Sequence, residues 1–324
     1  MEVISMPMWA WILFYALVIV MLYADLKLFG RKGQHEVSIG EALKMTAVWI
    51  IVSLIFCGGI WYYEGDIKAM EFLAGYLIEK SLSMDNLFVF LMLFSFFGIQ
   101  RKYQHEVLFW GIFGALILRS IFIFAGAAMV QKFEWILGVF GVFLIYTGIK
   151  MFSHKDDESV DPSKNIFVKL FKKFFPVTDQ MHEDKFFVKE LRREGEKEVM
   201  KRLATPLFIA LLVIETTDVA FAVDSIPAVF SVSRDPFIVL TSNIFAILGL
   251  RALYFALAAI AKYFAYLKYG LGIILSFVGV KMLLEVSPLH FDVPTPISLL
   301  IIFGVLVLSM LASYVATLYS RKRQ

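Results

Sequence analysis

Long apolar runs restrict the possible folds of this chain more than any other feature. Composition agrees, because 60% hydrophobic residues and a mean hydropathy of +0.75 are too apolar for a soluble protein of 324 residues. Period-two alternation is absent, so a transmembrane barrel is excluded and helices remain. Runs of about 20 residues are long enough to cross a bilayer. We therefore predict an all-α membrane protein with nine transmembrane helices, near residues 7–26, 45–63, 72–97, 107–130, 135–152, 206–230, 237–260, 266–285 and 296–318.

Lysine and arginine predict how these helices are oriented, because short loops rich in them stay in the cytoplasm. A long loop at 153–203 is left out of the count because it is charged throughout. The segments on one side then carry eleven basic residues, whereas those on the other side carry three. This distribution predicts an N-terminus outside and a C-terminus in the cytoplasm.

Two parts of the chain resemble each other, which predicts an internal repeat. The segment from Glu79 to Leu87 aligns without a gap with the segment from Asp218 to Ile226. Further along, Leu118-Arg119-Ser120 corresponds to Leu250-Arg251-Ala252. Each unit contains three spans, an odd number, so the second copy must lie upside down relative to the first. Inverted repeats of this kind are typical of secondary transporters, whose substrate site lies near the midplane.

These boundaries predict a single polytopic membrane domain over residues 1–324. The long loop carries twelve basic and eleven acidic residues, and we interpret it as a solvated connector or regulatory cap with room for a short hairpin or an amphipathic helix. The predicted parts are two N-terminal helices (1–66), a first repeat (67–152), a cytoplasmic loop (153–203), a second repeat (204–286), and a ninth helix with a basic tail (287–324).

Carboxylates inside the predicted spans are the strongest functional candidates. An aspartate at the bilayer centre costs roughly 2.5 to 3.5 kcal/mol on insertion scales, so such residues are rarely accidental. In a straight helix Glu79 and Asn86 share one face, and so do Glu215, Asp218 and Ser225. The full candidate set for binding a metal ion is Glu79, Asp85, Asn86, Glu215, Asp218, Asp224 and Ser225.

Two of these carboxylates stand out of register. Asp85 and Asp224 each lie six residues after their partner and point elsewhere in an ideal helix. Pro227 cannot donate a hydrogen bond to the carbonyl of Val223, so we expect a kink near Asp224. A carbonyl freed beside a carboxylate is what broken transporter helices use to bind cations.

The types of side chain predict which ion would bind. Carboxylate, amide and hydroxyl oxygens suit Mn²⁺, Mg²⁺ or Ca²⁺, whereas zinc and copper favour imidazole and thiolate. All five histidines lie in loops or at span ends, and Cys57 is the only cysteine. We expect Arg119 and Arg251, and in one count also Lys80, to balance the acids, leaving a net charge of minus three or minus two. One divalent cation would largely offset that charge, and protons could replace it.

Three segments resemble motifs of the TerC family of bacterial integral membrane proteins, which is named for tellurium resistance. They run from Glu79 to Asn86, from Glu215 to Pro227 and from Asp235 to Asn243, and the chain as a whole is similar to the Alx-like branch. The resemblance implies metal homeostasis in the bacterial inner membrane, with manganese export as the activity, and a fold related to the LysE superfamily. It also implies that the family's acidic motifs correspond to the candidate set above.

Three functions stay open at this point. The first is Mn²⁺ efflux by alternating access, in which Arg119 and Arg251 hold the carboxylates when no metal is bound; proton coupling is open. The second, an intramembrane aspartyl protease, is disfavoured because the sequences at the aspartates are Ser-Met-Asp and Ala-Val-Asp. The third is a membrane-assembly or scaffolding factor without transport. We expect no enzymatic activity, no permanently bound cofactor and no nucleic acid; the expected partners are the bilayer, a divalent cation and protons.

Overall fold

The structure is a computed structural model, and it describes residues 6–322 apart from 31–38, 134, 154–165, 179, 181, 183–184, 195–196, 261–265 and 288–292. The described part is mostly helical. Its elements are α1 (Met8–Gly30), α2 (Ile39–Glu64), α3 (Asp66–Phe96), α4 (Arg101–Lys132), α5 (Trp135–Ser153), α6 (Ile166–Phe174), β1 (Phe187–Glu194), β2 (Lys197–Ala204), α7 (Pro206–Phe230), α8 (Pro236–Ile247), α9 (Leu250–Ile260), α10 (Leu267–Val286) and α11 (Thr295–Lys322).

The helices bear out the prediction of a multi-pass integral membrane protein. Within the described residues, eight segments are long and apolar enough to cross a membrane, and they coincide with the predicted spans apart from the third. Helix α3 covers that third span and is 31 residues long, but it carries Glu79, Lys80 and Asp85 among its apolar residues. The chain is therefore a mostly helical membrane protein, with eight candidate spans in the part that the structure describes.

The long charged loop contains both elements that its sequence allowed. Strands β1 and β2 form an antiparallel hairpin, with Phe187 opposite Ala204. The short helix α6 precedes it and buries Val168. The rings of Phe187 and Phe208 lie 4.6 Å apart between centroids, so the hairpin packs against the start of α7.

The core helices approach one another closely at glycines. Helix α5 runs antiparallel to α10, and a Cβ atom on Gly148 would lie 2.6 Å from the carbonyl oxygen of Gly272. A Cβ atom on Gly141 would likewise lie 2.8 Å from that of Gly279. Larger residues would push the two backbones apart, as is usual where membrane helices pack through small residues. Glycines also lie where α3 contacts α8 and where α4 contacts α7: Gly75 meets the side chain of Ser242, and Gly111 that of Ile214.

The predicted seventh span is interrupted, which hydropathy alone did not reveal. Helix α8 ends at Ile247 and α9 begins at Leu250, and between them Gly249 has a φ of +83°. A Cβ atom at this position would lie 2.7 Å from the Trp49 ring, so both the conformation and the space require glycine. The kink expected near Pro227 does not interrupt its helix, because α7 stays helical from Pro206 to Phe230.

The start of α8 follows its sequence signals. Asp235 is the N-cap, and its carboxylate accepts a hydrogen bond from the backbone N–H of Phe237 at 2.9 Å. Pro236 occupies the first turn, where its missing N–H costs nothing. All residues of α8 are buried, so this half-helix runs through the interior of the protein.

Candidate functional site

Arg119 lies at the centre of a buried polar cluster. The residue is 1% exposed, and its guanidinium is held by carboxylates from two different helices. Its Nη2 and Nε donate to the two carboxylate oxygens of Asp218, at 2.7 and 3.1 Å. Its Nη1 donates to Glu79, which is fully buried. One arginine on α4 therefore ties α3 to α7.

Neutral side chains complete this arrangement. Asn243 on α8 donates from Nδ2 to Oε2 of Glu79 at 2.8 Å, and its own Oδ1 lies 3.4 Å from Nη1 of Arg119. The hydroxyl oxygen of Ser225 also lies 3.4 Å from that nitrogen. Ser83 donates to Glu79 at 3.2 Å. We call these six residues the central cluster: Glu79, Ser83, Arg119, Asp218, Ser225 and Asn243.

Local structure explains why these side chains meet. Glu79 and Ser83 are four residues apart on α3, and Asp218 and Ser225 are seven apart on α7, so each pair shares a helix face. Gly75 lets α8 approach α3, because a Cβ atom there would lie 2.7 Å from Oγ of Ser242. Buried charges are tolerated only when they are paired and hydrogen-bonded. The central cluster meets that condition for both carboxylates.

Three members of the predicted set, Glu79, Asp218 and Ser225, lie together in the central cluster. Glu215 stands one turn before Asp218 on α7, with its carboxylate against Gly114 of α4, and its Oε2 is buried without a hydrogen-bond partner among the described residues. Asp224 faces α5, where the hydroxyl of Thr147 donates to it at 3.4 Å. This separation agrees with the register of Asp224 six residues beyond Asp218.

The remaining two predicted ligands lie on α3. Asn86 is buried, at 3% exposure. Asp85 belongs to α3 by its backbone, but its side chain lies outside what the structure describes. The structure therefore gives no contact for Asp85.

The expectation that Arg251 holds the acids of the two motif helices is wrong. Arg251 instead donates from Nη2 to the carboxylate of Asp25 at 3.0 Å and to the backbone carbonyl of the same residue at 2.6 Å. Asp25 belongs to α1 and is buried. Arg251 stands two residues after Gly249, where the backbone leaves the helical conformation.

Lys80 does not balance the carboxylates either. Its Nζ donates to the backbone carbonyl of Ala246 at 3.0 Å, near the end of α8. That carbonyl loses its usual helical partner when α8 stops, and a cation is favoured at a helix C-terminus. With Arg251 and Lys80 engaged elsewhere, the central cluster has a net charge of minus one when both carboxylates are ionised.

Sequence reasoning missed two partners, Asn243 and Asp25. Asn243 stands in an apolar run within one of the family-like segments, and a polar residue in such a run is a signal that could have been used. Asp25 lies near the end of a predicted span, where a carboxylate normally reaches the interface. It meets Arg251 just after the break in the seventh span.

Within the described residues, no three histidine, cysteine, aspartate or glutamate side chains lie close enough together to hold a metal ion. Of the histidines, His105 and His182 are described, whereas His35, His154 and His290 lie outside the described residues. Cys57 is buried, and its sulfur lies 3.6 Å from the carbonyl oxygen of Ala69. The oxygen atoms of the central cluster that could bind a metal ion lie around Arg119.

Comparison with known proteins identifies the family. The model of the "Integral membrane protein TerC family" matches residues 64–323, most of the chain. The chain belongs to the TerC family. This TerC protein is 45% identical over 319 residues to the "Putative membrane-bound redox modulator Alx" of Escherichia coli K12, covering 96% of this chain and 95% of that protein. The Salmonella typhi protein of the same name is also 45% identical, over 318 residues and the same shares of the two chains.

Another relative has no assigned function. The "Uncharacterized membrane protein STKORF319" of Myxococcus xanthus is 47% identical over 306 residues, covering 94% of this TerC protein and 92% of that chain. No solved structure matches this TerC protein. The Alx-like relatives extend over nearly the whole chain, so the Alx-like branch is confirmed.

Proposed function

We propose that this protein exports a divalent metal ion, Mn²⁺ in the first place, by alternating access at the central cluster, and that inward proton movement drives it. The proposal places nine spans in the bacterial inner membrane, with the N-terminus outside and the C-terminus in the cytoplasm. Manganese is cargo here and not a resident cofactor, and no enzymatic step is involved. Ca²⁺ and Mg²⁺ are the competing substrates.

The observation that carries the proposal is the surroundings of Arg119. Six oxygen atoms, which come from Glu79, Asp218, Ser225 and Asn243, lie around its guanidinium. These side chains belong to three helices. Hard divalent ions take about six such oxygens, and Mn²⁺ and Mg²⁺ prefer an octahedral arrangement. A metal ion that displaced Arg119 would find suitable ligands already converged.

The charge balance suggests how protons take part. With Arg119 in place the central cluster has a net charge of minus one, so one proton would neutralise it for the return step. When Arg119 moves aside, two carboxylates are available to offset the charge of a divalent ion. Metal and proton would therefore occupy the cluster alternately, which couples their movements in opposite directions.

The helix contacts support the inverted repeat on which alternating access depends. The sequence correspondence exchanges α3 with α7, α4 with the α8–α9 pair, and α5 with α10. Under this exchange the contact of α3 with α8 becomes that of α7 with α4, and both are present. Gly148-Ile149-Lys150-Met151 in α5 corresponds to Gly279-Val280-Lys281-Met282 in α10. The glycine contact between Gly141 and Gly279 therefore becomes the one between Gly272 and Gly148, which is also present. Such pairs are what a pseudo-two-fold axis through the bundle produces.

The test is metal flux into proteoliposomes with purified protein. Mn²⁺, Mg²⁺, Ca²⁺ and Zn²⁺ are compared with and without a pH gradient, and the variants are Asp218→Asn and Glu79→Gln. We expect Mn²⁺ flux that the pH gradient accelerates, and losses in both variants at least as large as the roughly 10- to 100-fold typical of an altered metal site. Glu285→Gln is the control, because Glu285 pairs with Arg234 away from the central cluster.

Two results would contradict the proposal. Flux that persists in both variants at equal protein content would remove the central cluster from the pathway. Absence of flux for every ion, with folded protein in the bilayer, would favour the alternative of an assembly or scaffolding factor. That alternative predicts partner proteins that co-purify with the chain and no response to any of the four ions.

A further inference from the structure

The half-helix α9 is fixed in place by α1 and α2. Arg251, near the start of α9, holds both the carboxylate and the backbone carbonyl of Asp25 on α1. Trp49 on α2 fills the space beside Gly249, where the preceding half-helix stops. The family match begins only at residue 64, so both contacts come from helices that precede it.

The break between α8 and α9 lies next to the central cluster along the chain. Asn243 stands eight residues before Arg251, and the helical hydrogen bonds stop at Leu248 and restart from the carbonyl of Gly249. Glycine adopts a positive φ without strain and can also leave it, so this residue can serve as a joint. In the predicted topology α8 enters from outside, which places α9 between the central cluster and the cytoplasm.

We propose that α9 is the inner gate of the transport path, and that Asp25 on α1 latches this gate shut through Arg251. The proposal rests on the proposed function for what passes the gate. The latch is a buried ion pair, with Arg251 at 1% and Asp25 at 6% exposure. Both charges regain hydration when α9 moves and water enters, which offsets much of the lost attraction. The Asp25–Arg251 pair therefore holds α9 in the closed position, and α9 can still reach the open position.

The gate is tested by the chemical accessibility of α9, which does not depend on transport. Cys57, the only native cysteine, is replaced by alanine, and a single reporter is introduced as Ala256→Cys in α9 or Ala246→Cys in α8. Both alanines are fully buried. The reporters lie on opposite sides of Gly249, so they form a matched pair. Labelling with N-ethylmaleimide is followed in purified protein in lipid nanodiscs, with and without Asp25→Asn.

We expect Asp25→Asn to accelerate labelling of Ala256→Cys by at least about fivefold, the lower range of coupling between sites in switching proteins. Labelling of Ala246→Cys should not change, because α8 stays in place. Asp25→Glu keeps the charge and should restore most of the protection. Unchanged labelling of Ala256→Cys overturns the proposal. Equal acceleration of both reporters also overturns it, since the pair would then stabilise the whole fold.

A second variant covers the case in which Asp25→Asn does not fold. The double variant Asp25→Asn with Arg251→Gln leaves no uncompensated buried charge, and it should label at Ala256→Cys as fast as the single variant is expected to. The flux assay separates the two proposals. Fast labelling without flux for any ion would support the gate and contradict the transport function. Flux with unchanged labelling would contradict the gate alone.

Discussion

Arg119 and Arg251 stand in similar short sequences and are both 1% exposed, yet they bind different partners. Arg119 lies in the middle of the continuous helix α4 and holds carboxylates from α3 and α7. Arg251 follows the break at Gly249 and holds Asp25 on α1. The comparison teaches that a sequence repeat fixes which residue types recur, whereas the backbone path decides what each of them contacts.

The largest expected effect separates the two arginines directly. Arg119→Leu leaves Glu79 and Asp218 buried without a counter-ion, which typically costs about 3–5 kcal/mol. Arg251→Leu leaves one buried carboxylate, that of Asp25, instead of two. Thermal unfolding in detergent should therefore show a larger drop in melting temperature for Arg119→Leu than for Arg251→Leu.

Matched variants check the reason for this difference. Arg119→Lys keeps the positive charge but loses the bidentate contact with Asp218. Its melting temperature should therefore lie between those of the wild type and Arg119→Leu. Equal melting temperatures for Arg119→Leu and Arg251→Leu would show that the number of carboxylates held does not determine the cost.

The second prediction concerns the break itself. Gly249→Ala places a side chain at a φ of +83° and against Trp49, and such strain costs of order 1–3 kcal/mol. We expect a lower melting temperature and weaker protection of α9. Gly58→Ala is the matched control, because Gly58 lies within α2 with nothing within 4 Å of an added Cβ. A stabilising effect of Gly249→Ala would mean that α8 and α9 prefer to join into one helix.

The sequence predicted the helices and four members of the central cluster, Glu79, Arg119, Asp218 and Ser225, but not the break. Hydropathy averages over a window, so one glycine in an apolar run is invisible to it, although Gly249 corresponds to Ile117 in the other copy. A kink at Pro227 could be predicted because a proline disturbs a helix through its own ring and its missing N–H. The requirement for glycine at position 249 comes instead from Trp49, two hundred residues earlier in the chain.

The charges were harder to predict than the helices. Five carboxylates and two arginines fit several pairings, and counting them gives a total without assigning partners. Asn243 enters the central cluster only because α3 and α8 approach at Gly75. Asp25 meets Arg251 just after the break at Gly249. Both contacts depend on three-dimensional packing that residue spacing within one helix does not encode.

The smallest expected effect concerns Lys80, which supports the end of α8 at the break. The continuous helix α4 has no such interruption to support. Lys80 donates to the carbonyl of Ala246 near the end of α8, and α4 has no equivalent need because it runs on to Lys132. Lys80→Met keeps most of the side-chain volume and removes the donor. Losing a hydrogen bond from a charged group costs roughly 1.5–3 kcal/mol.

Removing a buried ammonium group also relieves its desolvation, which offsets part of that loss. The net destabilisation should therefore be about 1 kcal/mol, seen as a small fall in melting temperature, with increased labelling of the Ala246→Cys reporter. Lys132→Met is the control, because Lys132 is exposed at the end of α4 and its substitution should change neither quantity. If Lys80→Met instead raised the melting temperature and left Ala246→Cys protected, the end of α8 would be stable without this donor, and Trp49 with the Asp25–Arg251 pair would be sufficient to hold the break.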